Sequence, residues 1–227
     1  EDVAIKFLRP DLAKQDLFAA RFEREAKASS RLHHPNVVRS LEYGELPEGG
    51  AFMVMQLMHG QDLVQVLEAE TKVPWVRVCA IGAQIAEALI AAHEAGVIHR
   101  DLKLSNVMLE PQPDRSLRAM VLDFGLASVY GSDPDQAKLT QAGFVVGTPG
   151  YVAPELLAGG DYDERADIYA LGVVLWECIT GDRLWTAESP MHTLLRQLKM
   201  VAWLLSLHLQ KRFRKPWAHI DLALSMG

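Results

Sequence analysis

The sequence predicts an α+β chain of two lobes, a β-rich first lobe followed by a mainly helical second one. Three observations carry this expectation. Strand-like apolar runs cluster in the first 60 residues, at Val3–Lys6, Val37–Tyr43 and Ala51–Met58. Helix-period patterns dominate after them. The composition is that of a folded chain: 227 residues, 49% hydrophobic and 23% charged. That is ordinary globular usage and excludes a disordered or fibrous chain.

Residues 1–58 make up the first lobe. Val3-Ala4-Ile5 reads as a short buried strand ending at Lys6. Residues 16–32 fit one helix, because Phe18, Phe22, Glu25, Ser29 and Leu32 recur at spacings of four and three and so share a face. Glu25 on that face points inward, where a carboxylate needs a partner because an unpaired buried charge is costly. A slight rotation of the helix would instead return it to solvent. The strands Val37–Tyr43 and Ala51–Met58 are joined by a turn containing Gly44, Pro47, Gly49 and Gly50.

Residues 59–199 make up the second lobe. After a break at His59-Gly60, Asp62 can cap a short helix. Residues 75–95 make a stronger helix, with Val76, Cys79, Ala83, Ala86 and Ile90 on one face and Gly96 as its stop. Val107–Leu109 and Met120–Leu122 flank a polar, Pro-containing connection, as in a hairpin. The stretch 125–154 is a loop long enough to be functional. Residues 166–180 are apolar almost all round, which predicts a buried helix ended by Gly181.

The formal net charge of −6 is unevenly spread. Residues 200–227 hold four basic side chains and one acidic, leaving 19 basic and 28 acidic in residues 1–199. This last segment reads as an atypical tail. The acidic balance argues against nucleic acid as a partner, since phosphate binding needs a basic surplus. Two cysteines, Cys79 and Cys178, cannot form a disulfide framework and suit a reducing compartment. Each lies in an apolar stretch and reads as a buried small hydrophobe. The apolar run Val201–Leu207 is too short to span a bilayer, which takes about 20 residues.

Four segments carry chemistry. They are Val3-Ala4-Ile5-Lys6, the inward Glu25, His99-Arg100-Asp101-Leu102-Lys103-Leu104-Ser105-Asn106, and Asp123-Phe124-Gly125 followed by Ala153-Pro154-Glu155. Each alone is weak, but their order and spacing together match the protein-kinase signature set. Over residues 1–199 the sequence resembles the eukaryotic-like (Hanks-type) serine/threonine protein kinases, most closely their bacterial branch. The resemblance implies a two-lobed kinase fold. It also implies a Gly-rich loop about 20 residues upstream of Lys6, so the first lobe reads as truncated.

The resemblance assigns roles because phosphoryl transfer needs cations and positioning around concentrated negative charge. ATP and Mg2+ are the implied cofactors. Lys6 is expected to contact the α and β phosphates, with Glu25 holding it by an ion pair. Asp123 and Asn106 are expected to bind magnesium, which prefers oxygen ligands. Asp101 is expected to orient the substrate hydroxyl and accept its proton, with Lys103 neutralising the transferring group. Met55 corresponds to the gatekeeper, the backbones of Gln56 and Met58 to the adenine-binding hinge, and Ala4 and Met108 to the adenine sandwich. Phe124, Gly125, Glu155 and Asp167 are implied structural residues. Asp167 would hydrogen-bond the catalytic-loop backbone, and it can also be read as a plain helix cap. His99 reads as a core residue rather than a ligand.

By the same resemblance, Lys103 two residues after Asp101, and Thr148 in Gly147-Thr148-Pro149-Gly150-Tyr151, which resembles the substrate-docking loop, both imply Ser or Thr acceptors on protein substrates. Arg100 before Asp101 implies regulation by activation-loop phosphorylation, with Thr140, eight residues before Thr148, as the implied site. The resemblance further implies contact between two kinase copies for trans-autophosphorylation. It implies a cytoplasmic kinase domain, within a parent that relatives often anchor to a membrane. The alternative reading is a catalytically inactive kinase-like binding or scaffold module.

Overall fold

A computed structural model describes residues 2–8, 22–23, 26, 30–47, 49–124, 148–157, 163–187, 189 and 191–200. In the first lobe, β1 (Val3–Leu8), β2 (Ser40–Glu45) and β3 (Ala51–Gln56) form an antiparallel sheet in the order β1-β3-β2. Strand parity sorts the side chains. Leu8, Ala51 and Met53 are buried against Phe22 and Ala26, while Val3, Ile5 and Phe7 stay exposed. The same parity puts Ala4 and Lys6 on the Leu8 face, opposite Met55 and Met53 in the ladder. Of the inward face expected for the helix over 16–32, Phe22 and Leu32 are buried. Phe18, Glu25 and Ser29 lie outside the described residues.

The strand expected at Val37–Tyr43 begins instead at Ser40. Residues 36–38 spend their backbone groups elsewhere. Val37 bridges Val121 in parallel, Val38 N–H donates to Val121 O at 3.0 Å, and Val121 N–H donates to Asn36 O at 2.8 Å. This segment joins the first lobe to the second sheet. That sheet consists of β4 (Gln61–Asp62), β5 (Val107–Pro111) and β6 (Leu117–Val121) in the order β4-β5-β6.

The described helices of the second lobe are α1 (Leu63–Glu70), α2 (Trp75–Glu94), α3 (Pro154–Leu157), α4 (Arg165–Thr180) and helical residues 191–200. Asp62 caps α1 in a reciprocal box: Gln65 N–H donates to Asp62 Oδ1 at 2.8 Å, and Asp62 N–H to Gln65 Oε1 at 3.1 Å. The core forms where α2 meets β6 and α4. It is built on Ile81, Ile85, Leu89, Val107, Val121 and Val174.

The buried stripe of α2 is not the expected one. Val78, Ile81, Ile85, Ala88, Leu89 and Ala92 face inward, while Val76, Cys79, Ala83 and Ile90 are exposed. α2 is apolar around most of its circumference, so two stripes compete on pattern alone. Packing selects the stripe containing Gly82, because a Cβ there would meet Leu175 of α4. α4 is likewise not buried all round, since Ile168, Trp176 and Ile179 are exposed. It ends at Gly181 in the left-handed conformation (φ 78°), where any Cβ would strike the Thr71 carbonyl. By length and composition α2 could cross a membrane, but here its inner stripe is the core of the lobe.

The two cysteines therefore separate. Cys178 is fully buried, and burial pushes its thiol up to about 12. Cys79 is exposed, contrary to the sequence expectation. Because only the thiolate reacts, a thiol reagent at pH 8 should label Cys79 in the native chain and reach Cys178 only after unfolding. Mass spectrometry of the labelled peptides reads this out, and native labelling of Cys178 would contradict the packing described here.

Candidate active site

The β5–β6 hairpin places the first pair of polar residues. Asn106 ends the 3-10 turn Leu104–Asn106 directly before β5, and Asp123 follows β6 by two residues. Because Val107 pairs with Val121, both emerge at the same end of the hairpin, and Leu122 N–H donates to Asn106 O at 2.9 Å. Asn106 is buried, and its amide nitrogen donates to Asp101 O at 2.8 Å. Asp123 takes a left-handed backbone (φ 60°), and its carboxylate lies 3.2 Å from Lys6 Nζ. That ion pair spans the two lobes.

The loop between α2 and the 3-10 turn is held from beneath. Asp167, in the first turn of α4, is 1% exposed. Its Oδ2 accepts the His99 N–H at 2.8 Å and its Oδ1 the Arg100 N–H at 2.9 Å. It does not cap α4, whose N-cap position is Glu164. His93, at the end of α2, donates from Nε2 to Asp167 Oδ2 at 2.8 Å. Arg100 sits at φ 69°, a conformation that costs roughly 1–3 kcal/mol for a non-glycine residue and persists only when its surroundings hold it.

His99 is fully buried and packs against Phe124 with the rings tilted by 57° and their centroids 4.7 Å apart. Its Nε2 lies 2.9 Å from Leu122 O, which can only accept, so Nε2 carries the hydrogen. Its Nδ1 then accepts the Asp101 N–H at 3.3 Å. A neutral ring satisfies both contacts, and no metal-ligand role is needed.

Asp101, Lys103 and Thr148 close a triangle. Lys103 Nζ donates to Asp101 Oδ2 at 2.6 Å and to Thr148 Oγ1 at 3.1 Å. Thr148 Oγ1–H donates to Asp101 Oδ1 at 2.8 Å. Each hydrogen has one acceptor, so the directions are mutually consistent. Both lobes of the Asp101 carboxylate are oriented, and the side chain keeps 17% exposure.

A cleft of about 430 Å3 opens beside this triangle, lined in part by Glu68, Lys103, Thr148, Tyr151 and Glu177. Glu177 is buried within α4 and accepts the Tyr151 hydroxyl at 2.5 Å. Burial and the adjacent Glu177 carboxylate push the Tyr151 hydroxyl well above the ordinary phenol range. Gln197 is fully buried, and its amide nitrogen reaches Gly150 O at 3.0 Å and Val152 O at 3.2 Å. Together these two side chains fix the segment that carries Thr148.

Of the residues named from sequence, Lys6 and Asp123 meet, as do Asp101, Lys103, Asn106 and Thr148. Phe124 packs under the loop, and Asp167 holds Arg100. Ala4 pairs with Met55 in the first sheet, and Gln56 N–H donates to Arg39 O at 3.0 Å. Met58 follows β3, and Met108 lies in β5 opposite Met120. Glu155 is in the first turn of α3. Glu25, Gly125 and Thr140 lie outside the described residues. Sequence reasoning missed His93, Glu177 and Gln197. The available signal was a polar residue inside an apolar helical run, clearest at Glu177.

Replacing Tyr151 by Phe should orphan one oxygen of the buried Glu177. A loss of about 1–3 kcal/mol is expected in urea unfolding. An unchanged midpoint would show that the pair does not hold this segment.

A protein kinase domain profile matches residues 1–222. The chain is 46% identical over 179 residues to the serine/threonine-protein kinase pkn3 of Myxococcus xanthus, covering 79% of this chain and 33% of that protein. It is 42% identical over 187 residues to PknH of Mycobacterium bovis, covering 82% of this chain and 30% of that protein. It therefore spans about a third of the length of these curated relatives. The crystal structure of a double mutant of the Mycobacterium tuberculosis PknI kinase domain superposes with a TM-score of 0.62 at 33% identity, over 80% of this chain and 65% of that one. The chain therefore belongs to the protein kinase family, in its bacterial Hanks-type serine/threonine branch, and shares its two-lobed architecture.

Proposed function

We propose that the chain transfers the γ-phosphate of ATP to Ser or Thr hydroxyls of protein substrates. The carrying observation is the Asp101–Lys103–Thr148 triangle, with Asn106 bonded to the same loop. A carboxylate fixed at both oxygens and still solvent-accessible is suited to orient a hydroxyl and take its proton. Lys103, beside it, offsets charge on the group in transit. Thr148 ties the acceptor-binding segment to the catalytic loop, which supports Ser or Thr acceptors.

Lys6 would hold the α and β phosphates, with Glu25 as its proposed partner. The Lys6–Asp123 contact of 3.2 Å supports this, because it brings a cation and a metal-binding carboxylate to one point between the lobes. Ala4 and Met108 would sandwich the adenine, next to the gatekeeper Met55 and the backbones of Gln56 and Met58. Among the described residues no three His, Cys, Asp or Glu side chains converge as a metal cage. The donors present, an Asp123 carboxylate and the Asn106 amide oxygen, fit a magnesium ion that takes one or two protein oxygens and completes its shell with phosphate and water. When bound, magnesium neutralises the phosphate oxygens. The protein residues do the orienting.

Regulation through Thr140 and Arg100, trans-autophosphorylation between two copies, a division at residues 58 and 199, and a cytoplasmic kinase domain complete the proposal. An added phosphate of about −1.5 to −2 charges near Arg100 would pair with its guanidinium. Nucleic acid is not a proposed partner.

Transfer from γ-labelled ATP to a Ser- or Thr-containing protein tests the reading. Asp101→Asn should lower the rate about a hundredfold or more while calorimetry still detects ATP binding. Thr148→Val should lower kcat with little change in KM for ATP. Full activity in Asp101→Asn would refute the assignment, and ATP binding without any transfer by the wild type would favour a non-catalytic module.

A further inference from the structure

A second cavity lies away from this site. A groove of about 860 Å3 runs between α2 and the turn joining β5 to β6. Arg77, Ile81 and Gln84 line it from α2, and Arg115, Leu117 and Arg118 from the turn. Its floor is rigid. Gln84 Oε1 accepts from Asn36 Nδ2 and the Ala119 N–H at 2.9 Å each, and Gln84 Nε2 donates to Leu117 O at 3.2 Å.

Three observations at its rim point the same way. Arg77 pairs with Glu70 through one terminal nitrogen, at 2.7 and 2.9 Å, yet its Nε–H is buried with no acceptor. Buried donors are normally satisfied, so an orphan calls for an explanation. Arg115 has φ 69°. Gln112 N–H donates to Ser116 O and Arg115 N–H to Gln112 O, both at 2.9 Å, so Pro113-Asp114 fill the turn centre and Arg115 closes it. That left-handed closing position favours glycine. An arginine there keeps its guanidinium on the rim at a conformational penalty.

The third observation is the sign of the charge. Residues 1–199 carry 28 acidic against 19 basic side chains, whereas the groove lining has three arginines and one acid, Asp114. Asp114 Oδ1 is engaged by the Ser116 N–H at 2.9 Å. Glu110, opposite Arg118 in the ladder, accepts from Gln112 Nε2 at 3.1 Å. Arg115 and Arg118 are exposed, and neither guanidinium is joined to another described residue.

We propose that this groove docks a short acidic segment of a protein partner. Its carboxylates would be received by Arg115 and Arg118, beside the Arg77 guanidinium, with an apolar side chain against Leu117. Arginine suits this through paired, charge-assisted hydrogen bonds. A long polyanion such as a nucleic acid fits poorly, because beyond the groove it meets the acidic surface of the domain. The docking does not depend on phosphoryl transfer, and neither does its test.

The probe is a fluorescein-labelled dodecapeptide of Glu, Asp and Leu, followed by fluorescence anisotropy on the full chain at low and physiological salt. Arg115→Gly suits the turn and should hold or raise the melting temperature. Combined with Arg118→Gln, it should weaken binding about tenfold or more. Arg165→Gln, whose guanidinium pairs with the exposed Asp163 elsewhere, should bind as the wild type does. No saturable binding, undiminished binding by the double variant, or equal competition by a single-stranded oligonucleotide would each overturn the proposal.

Discussion

The carboxylate of Asp167 is 1% exposed and receives three N–H groups, from His99, Arg100 and His93. The geometry of the loop His99–Asn106 depends on it. Arg100 is held in a left-handed conformation that the chain would otherwise relax, and Asp101 follows directly. Three hydrogen bonds compensate the burial of one charge. Leaving a buried polar group without its partner costs about 1–3 kcal/mol. Through this carboxylate α4, the end of α2 and the loop are coupled, although they are distant in sequence.

Contacts between the lobes differ in kind. The Lys6–Asp123 pair is roughly a quarter to a third exposed on each side, and pairs of that sort contribute at most about 1 kcal/mol. The lobes are instead joined by the backbone bonds of residues 36–38 to β6 and by the part-buried Asn36–Gln84 bracket. Stability and chemistry are thereby separated. The Lys6–Asp123 pair can open at small cost, while residues 36–38 stay anchored to β6. Gln84 serves two structures at once, since it closes this bracket and forms the floor of the arginine-rimmed groove.

Much of this was legible in the sequence because the chemistry-bearing residues are contiguous or nearly so. His99 to Asn106 lie in one stretch, and the hairpin that brings Asn106 beside Asp123 follows from two short apolar runs. The cap at Asp62 and the stop at Gly181 are local signals and were readable for that reason. What escaped depends on tertiary packing. The buried stripe of α2 could not be chosen while Val76 and Ile90 looked as apolar as Ile85 and Leu89; only the approach of α4 over Gly82 decides it. Cys79 was misjudged for the same reason. His93, Glu177 and Gln197 act across separations of 74, 26 and 47 residues, which periodicity does not encode. The start of β2 moved because residues 36–38 found partners in β6, far along the chain.

Asp167 fixes the loop that carries Asp101. Amide hydrogen exchange at His99 and Arg100, measured by NMR in the wild type and in Asp167→Asn, tests it most directly. Both amides should be protected in the wild type to the level of the α2 core. In the variant they should lose that protection, while Ile85 and Leu89 keep theirs. Equal protection of His99 and Arg100 in the two proteins would contradict the account.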